Sequence, residues 1–206
     1  MRSRILAPRQ VLAHVDQVLA RKLSLRDVAK RKPLEDVVKA LHSGRGYFWT
    51  GVYLVAGNKV VRQAFCGPQP PCHSFEFGKG NVGTAGQTGI MKVVPDVTKD
   101  PVYSVCFVET RSEIVVPIKI AGRVLGVIDV ESNRENAFSA QDRVLLKQVA
   151  ACLARFLASR GKVLVRHARD AESPAAAAAS PEVRGYQPAS EKAAGLRAAA
   201  GESRRS

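Results

Sequence analysis

Apolar residues recur at helical spacing near both ends of the chain and at strand spacing between them. Val11, Leu12, Val15, Val18 and Leu19 fall on one helical face, and after Pro33 the set Leu34, Val37, Val38 and Leu41 repeats the 0, 3, 4, 7 spacing of an amphipathic helix. Two helices are therefore expected before any strand. Toward the other end, Val144, Leu145, Val149, Leu153, Phe156 and Leu157 form a further stripe. Just before it, Ser139-Ala140-Gln141-Asp142 puts a hydroxyl and a carboxylate three apart, which reads as a capping box opening a long helix that runs to about His167.

From Tyr47 the period changes to that of strands. Residues 47–55 and 59–65 are rich in β-formers and flank Ala56-Gly57-Asn58, a hairpin turn. Residues 72–77 read as a third strand, Gly78-Lys79-Gly80 as a turn, 81–88 as a short helix and 91–94 as another strand, followed by a long loop after Pro95. Residues 113–120 and 123–131, dense in Val and Ile and joined at Ala121-Gly122, form the central hairpin. The prediction is an α+β fold, an antiparallel sheet covered on one face by the first and last helices, its other face left to loops or ligand. Three regions follow: a basic helical extension over residues 1–32, a folded domain over 33–168 and a tail over 169–206. The tail holds the alanine run 175–179 and prolines 174, 181 and 188 with almost no large apolar side chain, so it is predicted to be disordered.

Composition narrows the class. With 206 residues and 46% apolar content the chain suits one globular domain with flanking segments. No window approaches an uninterrupted membrane span and no signal-peptide core follows Met1, so a soluble, cytoplasmic protein is expected. The net charge of +14 invites a nucleic-acid or membrane reading. The excess is shared between head and middle, however, and the tight clusters Arg21-Lys22 and Lys30-Arg31-Lys32 have no neighbouring aromatic to stack on a base. A solvated helix face is the simpler account.

Gly78-Lys79-Gly80-Asn81-Val82-Gly83 matches GxGxxG, but the strands around it are joined by hairpin-length turns, whereas a dinucleotide fold needs parallel crossovers. The glycines are read as allowing a tight turn and a close approach of helix to sheet. Among Cys66, Cys72, Cys106 and Cys152 there is no zinc spacing, so no metal is expected. Cys152 lies on the last apolar stripe as a core residue, and the other three occupy loop or strand-edge positions where redox chemistry is allowed. Asp129 and Glu131 alternate onto one face of a strand, and Glu113 begins its partner. Three converging carboxylates disfavour each other's ionised forms, which a cationic ligand would relieve; the alternative is that they end the strand in water or pair with Arg111 and Arg134. Trp49, Gly51 and Tyr53 share one face of the first strand, where a Trp beside a Gly floors a small pocket or simply packs.

Taken together, these segments resemble a GAF domain over residues 33–157 and, within that superfamily, the free methionine-(R)-sulfoxide reductases. The pieces are Trp49-Thr50-Gly51-Val52-Tyr53-Leu54, the glycine turn through Thr84-Ala85, Pro95-Asp96-Val97, Cys106 with Ser112-Glu113-Ile114-Val115-Val116-Pro117, and Leu125-Gly126-Val127-Ile128-Asp129-Val130-Glu131-Ser132. The resemblance implies that Cys106 is the nucleophile and Cys72 the resolving cysteine of a disulfide that a thioredoxin-type reductant reopens. It implies that Glu113, Asp129 and Glu131 bind the substrate amino group and assist protonation of the sulfoxide oxygen, that Trp49 and Tyr53 line the pocket, and that no metal or organic cofactor is needed. The chain departs from that family in having Val82 where a third cysteine is usual and Glu131 where Asp is usual. The competing expectations are a non-catalytic GAF module that binds a small ligand, and nucleic-acid association through the basic N-terminal helices. The apolar helices at both ends also leave room for a homodimer.

Overall fold

The computed structural model describes residues 5–165 apart from residues 23, 161 and 163. The alanine-rich tail and the stretch around His167 lie outside them. Helices α1 (Pro8–Ala20), α2 (Leu25–Ala29) and α3 (Lys32–Arg45) precede strands β1 (Trp49–Ala56), β2 (Lys59–Cys66) and β3 (Ser74–Glu76). Then come α4 (Gly80–Thr88), β4 (Lys92–Val94), a 3-10 turn (Val97–Lys99), β5 (Ser112–Ile120), β6 (Arg123–Ser132) and α5 (Ala140–Ser159).

The six strands form one sheet in the order β3-β2-β1-β6-β5-β4, and every neighbouring pair is antiparallel. No strand–helix–strand crossover of the dinucleotide kind is possible in that sheet. The hairpin β5–β6 forms as expected, although the central pair is β1 with β6. Val52 and Leu54 of β1, Ile114, Val116 and Ile118 of β5 and Ile128 and Val130 of β6 alternate onto one face, where they meet Leu34, Val37, Val38 and Leu41 of α3 and Leu145, Leu146, Val149, Leu153 and Leu157 of α5. α3 and α5 lie against the sheet, and α1 packs on both of them through the same core. The first helix is thus part of a second layer over the two that touch strands.

The start of α5 is the predicted capping box: the Ser139 hydroxyl accepts from the Asp142 amide, and the Asp142 carboxylate accepts from the Ser139 amide. Asp142 Oδ1 also accepts from the Tyr47 hydroxyl at 2.8 Å and forms a 2.8 Å ion pair with Arg45, so it ties the helix start to the end of α3. Three details differ from the sequence-based expectation. Helix α2 has five residues, too few to show a period. Strand β3 is shorter than expected because the Cys72 carbonyl is taken by the Arg62 side chain. α5 is broken after Ser159 by a turn at Arg160, whose amide donates to the Phe156 carbonyl; residues 162, 164 and 165 are again helical, and the expected end near His167 lies outside the described residues.

Candidate functional site

The face of the sheet turned away from α3 and α5 carries the candidate chemistry. β6 projects Asp129 and Glu131 to it, β5 sets Glu113 opposite Glu131, and β1 sets Trp49 opposite Glu131 and Gly51 opposite Asp129. Oxygen atoms of Glu113, Asp129 and Glu131 lie within 4.8 Å of one another, and the three residues are only 4%, 2% and 3% exposed. The carboxylates therefore do not end their strands in water. Arg111, one of the arginines considered as a partner for the carboxylates, donates its guanidinium instead to the carbonyls of Val108 and Thr110.

Their partners are neutral and few. Asn81, in the first turn of α4, donates through Nδ2 to Glu113 Oε2 at 2.8 Å and to Asp100 Oδ2 at 2.7 Å. The Thr110 hydroxyl donates to Glu131 Oε2, and buried Asp129 Oδ1 has no partner. Burial, with the Glu131 charge next, pushes Glu113 up to about 8; burial lifts Glu131 to about 7 against the stabilising Thr110 bond. Asp129 is driven well above the usual carboxylate range by burial and then by Glu113 and Glu131. A cluster so arranged holds protons at neutral pH and can donate one, or it can exchange them for a bound cation.

Aromatic rings wall the cluster. Trp49 is fully buried and lies across Gly51, where any Cβ would intrude on the indole, so glycine at that position is what lets the ring cross the strand. Trp49 stacks on Phe65 with centroids 6.2 Å apart and meets Tyr53 at 6.3 Å and Phe107 at 5.9 Å; Tyr53 meets Phe75 at 5.7 Å. Oxygen donors alone suit a hard metal cation, but a cup of rings suits an organic ammonium better. The glycine motif has the role the sequence suggested: a Cβ on Gly83 would strike the Glu76 carbonyl, so the glycine lets α4 press against the β3 end and bring Asn81 to Glu113.

Cys72 and Cys106 are joined in a disulfide, with Cα atoms 5.7 Å apart across 34 residues of chain. Both are half-buried against the cluster of Trp49, Tyr53, Phe75, Phe107, Val115 and Val127, on the same side of the sheet as the carboxylates. Cys66 has a free thiol and packs instead with the helix-side core. Cys152 is a buried free thiol on α5 whose Sγ donates to Asp16 at 3.0 Å; burial raises it to about 11, which leaves it protonated and inert. The structure thus brings together Cys72, Cys106, Glu113, Asp129, Glu131, Trp49 and Tyr53 on one sheet face. Sequence reasoning missed Asn81, Thr110, Phe75 and Phe107. Asn81 sat inside the quoted glycine motif, whereas nothing in the sequence distinguishes Thr110 from other loop residues.

The GAF domain family model matches residues 31–157, well over half of the chain. The chain belongs to the GAF domain family. Its sheet and helices match those of the Neisseria meningitidis free methionine-R-sulfoxide reductase, solved in complex with its substrate, with a TM-score of 0.68 at 34% identity over 75% of this chain and 91% of that one. The chain is 39% identical over 106 residues to the free methionine-R-sulfoxide reductase of Saccharomyces cerevisiae, which spans 50% of this chain and 58% of the yeast protein. It is 30% identical over 111 residues to the Escherichia coli protein of the same name, covering 54% of this GAF chain and 67% of that relative. No helix among the described residues is long and apolar enough to cross a membrane.

Proposed function

We propose that this GAF protein reduces free methionine-(R)-sulfoxide to methionine, with Cys106 as nucleophile and Cys72 as resolving thiol. The observation that carries the reading is the Cys72–Cys106 disulfide lying on the same sheet face as three buried carboxylates that have no basic side chain as partner among the described residues. Relatives that bear the reductase name, one of them solved with its substrate, support it.

In this mechanism the substrate ammonium takes the place of the proton shared among Glu113, Asp129 and Glu131, and the aromatic cup holds the side chain. The Cys106 thiolate attacks the sulfoxide sulfur while a protonated carboxyl of the cluster delivers its proton to the oxygen. Glu113, held up to about 8, is the group best poised for that donation. The oxygen passes to Cys106: methionine sulfur is reduced by two electrons and the cysteine is oxidised to a sulfenic acid. The Cys72 thiolate then attacks the sulfenic sulfur, the S–S bond forms, the S–O bond breaks, and the oxygen leaves as water after taking up a proton. A dithiol of the thioredoxin type reopens the bond by exchange.

The test is incubation with both epimers of methionine sulfoxide and dithiothreitol. Consumption of the R epimer alone is expected, abolished in Cys106→Ser and retained in Cys152→Ser. No turnover by the unmutated protein moves the reading to a GAF module that binds an ammonium-bearing ligand without reacting with it.

A further inference from the structure

Arg62 sets a guanidinium into the reactive face, and the reaction above assigns it no task. It stands on β2, half-buried, with its planar head over the Phe65 ring at 5.0 Å from the centroid. Its Nη1 donates to the Cys72 carbonyl and lies 3.5 Å from the Pro70 carbonyl, while its backbone amide donates to the His73 carbonyl at 2.9 Å. One residue therefore grips the chain on both sides of Cys72. Phe65 in turn stacks on Trp49, and Trp49 packs on Phe107, the neighbour of Cys106. The loop carrying Cys72 has no strand pairing of its own at that point, since β3 begins only at Ser74. Pro70 and Pro71 supply no amide hydrogens to anchor it. Without the guanidinium, the carbonyls of Pro70 and Cys72 lose their side-chain donor and the thiol loses its tether to the aromatic floor.

We propose that Arg62 is a positioning residue for the resolving step: it holds Cys72 within reach of the oxidised Cys106, and so sets the rate at which the sulfenic acid is converted to the disulfide. This rests on the proposed roles of the two cysteines, but not on the identity of the sulfoxide. A fork of rigid donors suits the task, because it can bridge two carbonyls while its face stays on a ring, which an ammonium does less well. Loss of an ångström of placement at a reacting atom lowers a rate steeply.

The experiment reads disulfide formation directly. Reduced protein is treated with one equivalent of hydrogen peroxide, which converts the Cys106 thiolate to a sulfenic acid and is itself reduced to water. The appearance of the Cys72–Cys106 bond is followed by mass spectrometry, alongside trapping of sulfenic acid by dimedone. In Arg62→Leu the bond is expected to form at least about tenfold more slowly, with more trapped sulfenic acid. Arg62→Lys restores part of the rate. The single-turnover rate of methionine formation should be unchanged, whereas kcat falls once the slowed resolving step limits turnover. Wild-type disulfide rates in both variants, with no extra trapping, overturn the proposal. Should Arg62→Leu fail to fold, the lysine variant alone decides: an intermediate rate supports the role and an unchanged rate refutes it. If the unmutated protein leaves methionine sulfoxide untouched yet forms the bond with peroxide, the substrate reading fails while the role of Arg62 is still tested.

Discussion

Replacing Glu131 by glutamine tests whether the buried carboxylates are kept neutral by the fold. The side chain rises from its ordinary 4.5 to about 7 because it is buried among strands, against Thr110 and Tyr103, which favour its charged form. At ~1.4 kcal/mol for each pH unit, that rise corresponds to about 3 kcal/mol of preference for the protonated form. Between the two values the native carboxyl keeps a proton that the unfolded chain has released. Stability of the reduced, unliganded protein should therefore be complete below pH 4.5 and decline as pH climbs through about 7. Glu113 adds its own decline up to about 8, and the Glu131 charge is the second cause of its rise. Glutamine keeps the shape and removes both contributions of residue 131. Urea unfolding of the reduced protein between about pH 5 and about pH 8 should show wild type losing about 3 kcal/mol or more, and Glu131→Gln losing markedly less. A wild-type stability that is flat or rises across that window, or an equal slope in the variant, refutes the account of a proton-holding cluster.

Three further outcomes follow from the packing. Asp142→Ala removes the cap of α5 and strands Arg45 and Tyr47, and urea unfolding should show a loss of about 3 kcal/mol. Gly51→Ala forces the indole of Trp49 off the strand at a cost of about 1–3 kcal/mol. As the chain has a single Trp, the shift in its emission reports the movement without ambiguity, and turnover should fall with it. Leu153→Ala opens a cavity in the helix-side core and should lower stability by about 2–5 kcal/mol in thermal or chemical unfolding, while activity per folded molecule is kept because the opposite sheet face is untouched.

Much of the architecture could be read from side-chain periodicity. The stripe Leu34, Val37, Val38 and Leu41 and the stripe beginning at Val144 had to be covered by something apolar, though Val144 itself is exposed, and the alternation in 113–120 and 123–131 had to divide the sheet into two faces. The same alternation foretold that Asp129 and Glu131 share a side, but Glu113 joins them only through the irregularity between Ile118 and Lys119, which shifts the pairing so that Glu113 falls opposite Glu131. What it did not reveal was depth. Whether those carboxylates met water or protein depended on the loop holding Phe107 and Thr110, which has no period to read. Nor could spacing show that α1 sits over α3 and α5, since an apolar stripe records that a face is covered but not by which neighbour. Arg62 was illegible for a related reason: its partners are main-chain carbonyls, which leave no trace in residue type.

The bond between Cys72 and Cys106 closes a 34-residue span that includes β3, α4 and β4, and on the same side of the sheet the acidic trio is almost sealed from solvent. Oxidation thus ties that whole span into a closed loop on the side of the sheet where the trio lies. On the proposed mechanism the span is uncrosslinked while substrate binds and is closed only when Cys72 engages Cys106. Reduction by a dithiol frees the two ends of the span as well as regenerating both thiols.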